Sequence, residues 1–196
     1  NPKRKTYAAM VSAVDDGVGK LLNKLDELGI EENTIVFFLS DNGGPEATNG
    51  SDNGPLREGK SSVYEGGFRV PFAMQYKAKI QKGIFNKPVS SMDIFATMSG
   101  LTKLPVSQDK PLDGVNLIPF LTGENNGIPH ESIYLRKFDQ KQFAVRHGDH
   151  KLVTKENGEI QELYDLKNDT GENNNIIASQ PEIARKIESL RVNNVI

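Results

Sequence analysis

Cysteine is absent from the 196-residue chain, and its absence excludes disulfide bonds and thiolate metal ligands. The cellular compartment is not decided by this absence alone. No charge of one sign dominates either, because 24 Lys and Arg residues balance 26 Asp and Glu residues to a net charge of −2. We therefore expect no nucleic-acid partner. No apolar run approaches the length of a membrane span, so we expect no such span.

The most informative segment that is present is an apolar run, residues 35–39, which ends in Ser40-Asp41-Asn42-Gly43-Gly44. A short β-branched and aromatic run bounded by turn residues predicts a buried strand. In open α/β sheets, ligands bind just past the carboxyl ends of strands. Asp41 and Asn42 lie there and offer oxygen ligands, which suit a hard cation such as Ca²⁺. The same letters alone would also fit an ordinary turn, but the strand before them and the basic loop after them favour a metal site.

The loop that follows contains Arg57, Gly59 and Lys60. An ammonium group is a compact point charge that suits an oxyanion, and glycine allows the backbone to approach a ligand closely. Together with a cation at Asp41 and Asn42, Lys60 predicts a site for a tetrahedral oxyanion such as sulfate or phosphate. Arg57 is a further candidate for substrate contact.

Two familiar motifs in this loop lack the context that they need. Residues 54–61 match the P-loop pattern G-x-x-x-x-G-K-[ST], yet a P-loop requires a buried strand before it and a helix after it. Here the preceding residues are polar, and Pro55 lacks an N–H group. An EF-hand aligned on Gly54 would place Lys60 where a bidentate carboxylate must lie. Neither nucleotide binding nor an EF-hand is predicted.

Charged residues beyond the loop indicate structural roles. Glu65 and Arg69 lie four residues apart around Gly66-Gly67, which predicts an internal ion pair that shapes this segment. The three histidines match no metal-ligand spacing, and we expect each to be structural or exposed: His130, His147 and His150.

Several motifs, in this order, resemble the second half of a type I (arylsulfatase-like) sulfatase of the alkaline phosphatase superfamily. The resemblance covers nearly the whole chain, and the ordered combination is more specific than any single piece. The motifs are residues 14–22 (VDDGVGKLL), 40–43 (SDNG), 56–60 (LREGK), 65–71 (EGGFRVP), 112–117 (LDGVNL) and 163–169 (LYDLKND).

The resemblance implies a sulfuric ester hydrolase with one Ca²⁺ ion, metal ligands Asp41 and Asn42, and Lys60 as the sulfate-binding catalytic residue. It also implies a formylglycine nucleophile made within a C/S-x-P-x-R motif. The chain has no Cys, and its only Ser-x-Pro, at residues 179–181, is followed by Ile183 where Arg is required. We therefore interpret the chain as a C-terminal fragment of such an enzyme, and we expect the isolated fragment to be inactive. The missing N-terminal half is expected to carry formylglycine. An aryl sulfate or a sulfated carbohydrate is the implied substrate, and a periplasmic, extracellular or lysosomal location is implied.

The expected fold is α/β. Residues 1–125 are predicted to be the C-terminal part of the catalytic sheet domain, with helices over 7–28, 92–101 and 116–121 and strands over 35–40 and 72–76. Residues 126–196 are predicted to form a small subdomain, because turn signals such as His147-Gly148-Asp149 separate short β-type runs. Its expected elements are four antiparallel strands, over 132–136, 142–146, 151–154 and 160–166, and one amphipathic helix over 181–192.

Three further expectations follow from this interpretation. One alternative to a sulfatase is a phosphatase or phosphonate hydrolase of the same superfold, which would share the strand over residues 35–40 that precedes the metal ligands (the metal strand). Another is a non-catalytic domain that binds calcium or a sulfated glycan. Without the missing half, the metal strand should expose an edge and apolar surface, and the chain should self-associate there.

Overall fold

The computed structural model describes residues 2–107 and 109–194. The α-helices are α1 (Pro2–Glu27), α2 (Glu46–Asn49), α3 (Glu65–Phe68), α4 (Asp93–Thr102), α5 (Ile118–Leu121) and α6 (Pro181–Asn194). The strands are β1 (Val36–Leu39), β2 (Phe72–Gln75), β3 (Ser132–Lys137), β4 (Gln142–His147), β5 (His150–Lys155) and β6 (Ile160–Asp165). The predicted α/β class, with an antiparallel four-stranded sheet and a C-terminal helix, is confirmed.

The chain divides into two compact units. One contains the residues up to 16, residues 39–71 and those from 132 onward, and the other contains residues 17–38 and 72–131. The boundary that we predicted near residue 125 stays a prediction.

The four-stranded sheet of the first unit is a series of hairpins in the order β3-β4-β5-β6. Gly148 has a φ of +59° in the tight turn between β4 and β5, a left-handed conformation that glycine adopts without steric cost. Short 3₁₀ turns close the other two hairpins, at Phe138–Gln140 and Glu156–Gly158. The hairpin signals in the sequence therefore placed the strands to within one or two residues of their observed ends.

Both faces of this sheet are buried. On one face, apolar side chains pack against the inward side of α6: Val145, Leu152, Leu163, Ala184 and Ile187. On the other face, Ala144, Val153 and Tyr164 pack against Val63 and Tyr64. Residues 63 and 64 directly precede α3, so the segment between Lys60 and α3 packs on this face of the sheet.

In the second unit, the carboxylate of Asp93 organises the start of α4. Asp93 is fully buried and accepts hydrogen bonds from the backbone N–H groups of Ser90 at 2.7 Å and Val115 at 2.9 Å. It also lies 2.8 Å from Nε2 of His130, so the structural role expected for this histidine is confirmed. A Cβ atom on Gly114 would lie 2.1 Å from the carbonyl oxygen of Met92, which explains the glycine in the motif at residues 112–117.

Helix α1 and strand β1 are less covered. Helix α1 contains no buried residue, and it ends where Gly29, at a φ of +63°, donates its N–H group to the carbonyl of Asp26. Strand β1 pairs with β2 in a two-stranded sheet, and Phe37 packs edge-on against Phe72. Phe38 is 45% exposed. The expectation of a fully buried β1 is therefore wrong for this chain, because β2 is its only neighbouring strand among the described residues.

Candidate active site

The candidate metal ligands lie on the turn directly after β1. The backbone N–H group of Ser40 donates to the carbonyl of Pro71 at 3.2 Å, and the Ser40 hydroxyl donates to the carbonyl of Asn42 at 2.9 Å. These two bonds fix the turn on either side of Asp41, whose side chain is exposed, while Asn42 is half-buried. A carboxylate and an amide, on consecutive residues, are thus held in a fixed turn at the end of a strand.

Close backbone packing holds this turn against helix α3. The N–H group of Gly43 donates to the carbonyl of Gly67 at 2.9 Å. A Cβ atom on Gly43 would lie 1.6 Å from the carbonyl oxygen of Gly66, and one on Gly66 would lie 2.1 Å from the carbonyl oxygen of Glu58. Any side chain at either glycine would force the segments apart. The glycines of SDNG and EGG are therefore explained by contact between backbones.

Lys60 lies on the neighbouring loop, and its side chain is exposed. Residues 50–64, all of which the structure describes, contain no helix or strand, and the exclusion of nucleotide binding stays a prediction. Glu58 and Ser61, on either side of Lys60, have left-handed φ values of 58° and 71°, and the ammonium of Lys137 donates to the carbonyl of Ser61 at 2.5 Å. The backbone around Lys60 is thus held while the ammonium itself faces outward.

One side chain connects the two loops. The Oδ1 atom of Asn53 accepts a hydrogen bond from the N–H group of Gly44 at 2.7 Å. Its Nδ2 atom donates to the carbonyl oxygens of Gly44 at 2.8 Å and Glu58 at 3.0 Å. The turn that carries Asp41 and Asn42 is therefore bonded to the loop that carries Lys60.

Arg57, the further candidate for substrate contact, is engaged inside its own unit. Its Nη1 atom donates to the hydroxyl of Tyr164 at 2.7 Å and to the carbonyl of Glu172 at 3.1 Å. Its guanidinium carbon lies 4.0 Å from the ring centroid of Tyr64, a cation–π distance. Burial and the hydrogen bond to Glu162 raise the pKa of Tyr164 to about 12, so this tyrosine stays neutral. These contacts give Arg57 a structural use, and a substrate contact stays a prediction.

Beneath α3 lies a buried charge cluster of Lys151, Glu65 and Glu172. The Nζ atom of Lys151 lies 3.1 Å from Oε1 of Glu65 and 2.7 Å from Oε1 of Glu172, and all three side chains are at most 1% exposed. The predicted pair of Glu65 with Arg69 is confirmed, at 3.5 Å. The sheet thereby fixes Glu65, the first residue of α3. The glycines of α3 in turn contact residues 40–44, the turn with the proposed metal ligands, which we call the metal turn.

Sequence reasoning did not single out Asn53, Lys151 or Glu172. Asn53 lies in a second Asp-Asn-Gly, at residues 52–54, but no apolar run precedes this copy, so the sequence alone indicates an ordinary loop. Lys151 stands among apolar strand residues, and a single lysine there is ordinarily assigned to solvent. The sequence did carry one signal for this cluster, because Lys151, Glu65 and Glu172 are charged residues at positions where the strand pattern and a packed turn predict burial.

The residues present fit a hard cation in type but not in number. Asp41 and Asn42 supply the oxygen ligands that Ca²⁺ accepts, whereas Ca²⁺ takes about 6–8 of them. Across residues 2–107 and 109–194, no group of three or more His, Asp or Glu side chains is placed to hold a metal ion. None of the described helices is long and apolar enough to cross a membrane.

Two family models match the chain. The model described as "Sulfatase" matches residues 1–104, and the model described as "N-sulphoglucosamine sulphohydrolase, C-terminal" matches residues 59–193. The first match contains the SDNG turn, Asn53 and Lys60. The second contains the four-stranded sheet and α6 up to residue 193.

Individual proteins agree with these models. The chain is 30% identical to "Uncharacterized sulfatase YdeN" of Escherichia coli (strain K12), over 94% of this chain and 39% of that protein. It is 34% identical to "Sulfatase" of Formosa agariphila, over 96% of this chain and 38% of that protein. The chain thus spans about two fifths of the length of these relatives.

Solved structures are similar as well. A structure of Ps i-CgsB in complex with k-i-k-neocarrahexaose is 34% identical, with a TM-score of 0.85, over 95% of this chain and 42% of that one. A structure of BT4656 in complex with its substrate D-glucosamine-2-N,6-O-disulfate is 27% identical, with a TM-score of 0.72, over 94% and 38%. With family models matching more than half of its residues, the chain belongs to the sulfatase family.

Proposed function

We propose that the chain is part of a longer enzyme that hydrolyses sulfate esters, and that it supplies Asp41, Asn42 and Lys60 to the active site. The observation that supports this best is the bonding of the SDNG turn to the Lys60 loop through Asn53. Two oxygen ligands for a cation and one ammonium group then lie on connected backbone, and both positive charges would attract the anionic sulfate group of the ester.

In this proposal Lys60 has an electrostatic role. Its exposed ammonium neutralises charge on a sulfate oxygen or on the departing alcohol oxygen, and such fixed charges stabilise a transition state more than a ground state. A bound Ca²⁺ ion would supply polarisation of the sulfate oxygens. The chain contains no residue in a C/S-x-P-x-R context, so it does not itself fit formylglycine, and the isolated chain should not turn over an aryl sulfate.

The substrate that we propose is a sulfated carbohydrate. Support comes from two structural neighbours in complex with sugars, k-i-k-neocarrahexaose for Ps i-CgsB and D-glucosamine-2-N,6-O-disulfate for BT4656. Assays of the full-length enzyme should give a higher kcat/KM with a sulfated oligosaccharide than with an aryl sulfate. A preference for the aryl sulfate would overturn this part of the proposal.

The test of the site is Lys60→Ala in the full-length enzyme. Removal of one stabilising charged or polar group costs roughly 10²-fold in rate, so kcat/KM for a sulfate ester should fall by about that factor. Stability should barely change, because the Lys60 side chain is exposed. Lys110, also exposed, is the matched control, and equal activity of the Lys60→Ala and Lys110→Ala enzymes would refute the assignment.

The metal ligands need a separate readout. Asp41→Ala should abolish activity and also lower the calcium content of the purified full-length enzyme, measured by elemental analysis. Asp139→Ala, a change to an exposed aspartate in the turn after β3, should leave the calcium content unchanged. Retention of stoichiometric calcium by the Asp41→Ala enzyme would remove Asp41 from the ligand set.

A further inference from the structure

The side chain of Asn53 has an uncommon number of backbone partners for a loop residue. All three of its hydrogen bonds are to main-chain groups, on Gly44 and on Glu58. Gly44 lies two residues after Asn42, and Glu58 lies two residues before Lys60. The amide thus joins the two segments at points that are each two residues in sequence from a residue of the proposed site, Asn42 for the metal and Lys60 for the oxyanion.

Asparagine is the side chain that this position requires. One acceptor and two donors are needed within a short reach, and a carboxamide offers both. Aspartate has the same length but would place a second acceptor against the carbonyl oxygens of Gly44 and Glu58. The space is tight as well, because a Cβ atom on Gly59 would lie 2.6 Å from Nδ2 of Asn53 and 2.3 Å from the carbonyl oxygen of Gly44.

The backbone of Asn53 is itself anchored. Its N–H group donates to Oε1 of Glu46 in α2 at 2.6 Å, and the next N–H group, of Gly54, donates to Oδ1 of Asp52 at 2.9 Å. The amide is therefore presented from a fixed base. Movement of the Lys60 loop away from the metal turn would break its bonds.

We propose that Asn53 is a positioning residue, which sets the separation between the metal turn and Lys60 and acts on the reaction through Lys60. This inference rests on the proposed function. Misplacement of a reacting group by about 1 Å can cost on the order of 10²-fold in rate. Loss of the Asn53 bonds should therefore reduce turnover although Asn53 does not touch the substrate.

The test is a double-mutant cycle in the full-length enzyme with a sulfate ester. Asn53→Ala alone should lower kcat by about 10- to 100-fold, with a smaller change in KM. In the Lys60→Ala background, the same substitution should lower kcat by less than about 3-fold, because the group that Asn53 positions is already gone. A purely structural role would give the same factor in both backgrounds.

Two further variants complete the experiment. Asn53→Asp keeps the acceptor for Gly44 and loses both donors, so it should behave like Asn53→Ala, and it serves if the alanine enzyme does not fold. Asn49→Ala, at the last residue of α2, whose side chain accepts a hydrogen bond from the N–H group of Ser51 at 2.9 Å, should retain normal kcat.

The possible failures are distinguishable. If Lys60→Ala is itself neutral, the proposed assignment of Lys60 fails and the inference with it. If Lys60→Ala is costly but the Asn53 variants are neutral, or lower kcat by the same factor in both backgrounds, the inference alone is overturned. Failure of both Asn53 variants to fold would likewise overturn it, since the role would then be structural.

Discussion

Lys151 illustrates how a single residue links the sheet to the candidate site. It is fully buried on β5 between the carboxylates of Glu65 and Glu172, and its Nζ atom lies 4.5 Å from the ring centroid of Phe68. Oε2 of Glu172 also accepts the N–H group of Glu65 at 2.6 Å. Burial raises the pKa of Glu172 against the opposing attraction of Lys151, so the lysine is what keeps two close carboxylates compatible.

Replacement of this lysine should be costly. Lys151→Met leaves two buried carboxylates without their shared counter-charge, and loss of one partner in such a pair typically costs about 3–5 kcal/mol. Urea unfolding of the isolated chain should show this loss, and addition of Glu172→Gln should recover part of it. Lys167→Met, at an exposed lysine, is the control. A Lys151→Met chain as stable as the control would mean that the cluster contributes nothing to folding.

Glu162 gives a prediction of pH dependence. Burial alone would raise its pKa, but hydrogen bonds from Tyr64 and Tyr164, with the charges of Lys155 and Arg57, together hold the pKa below its ordinary value of 4.5. A depressed pKa in the folded state contributes stability above pH 4.5 that is lost as the pH falls through the folded-state value.

Glu162→Gln should therefore be less stable than the wild-type chain at pH 7, by about 1–3 kcal/mol for hydrogen bonds to a charged group. The difference should shrink as the pH falls below 4.5. Unfolding curves at pH 7, 4.5 and 3 measure it, and Glu159→Gln, at an exposed residue nearby, should match the wild type. A difference that does not change with pH would contradict the linkage.

At the scale of elements, the sequence predicted best where local signals decide. The four strands and α6 were placed by turn residues and by apolar periodicity, and they were found within one or two residues. Helix α3 was not predicted, because Gly66 and Gly67 disfavour a helix. This single turn forms because Glu65 is held by Lys151 and because the glycines admit the backbone of Glu58. Such contacts between distant segments leave no local signal.

Glycine substitutions separate these two situations. Gly66→Ala places a Cβ atom 2.1 Å from a backbone oxygen of Glu58, and steric strain of this kind costs on the order of 2–4 kcal/mol. Gly17→Ala lies in α1, where a Cβ atom meets nothing within 4 Å, and the higher helix propensity of alanine should stabilise the isolated chain by up to about 1 kcal/mol. Thermal unfolding of both variants tests the pair. Equal shifts in Tm would show that backbone contact at Gly66 is unimportant.

For the whole molecule, the order of motifs predicted the family and the fold class, whereas the site was predicted only in part. Asp41, Asn42 and Lys60 could be proposed from the sequence because their side chains offer oxygen ligands for a cation and a positive charge for an oxyanion. Asn53 could not, because its role depends on which backbone groups surround it. Arg57 shows a different difficulty, since an arginine in a loop suggests substrate contact, whereas its bonds to Tyr164 and Glu172 give it a structural role that the sequence did not indicate.

The exposed apolar surface of the isolated chain leads to the last prediction. Helix α1 buries no residue, Met10, Val14 and Leu21 on it are 64%, 55% and 53% exposed, and Phe38 on β1 is 45% exposed. An uncovered strand edge beside apolar side chains favours pairing with another chain. The isolated chain should therefore self-associate, with a mass by light scattering that rises with concentration.

Phe38→Lys tests whether β1 is the region responsible, because a charge on an edge strand opposes pairing. This variant should shift the chain toward monomer at concentrations where the wild type associates. Phe138→Lys removes an aromatic side chain that is 72% exposed but lies outside β1, so it controls for a general gain in solubility. A monodisperse wild-type monomer at every concentration, or equal effects of the two lysine variants, would show that β1 does not direct the association.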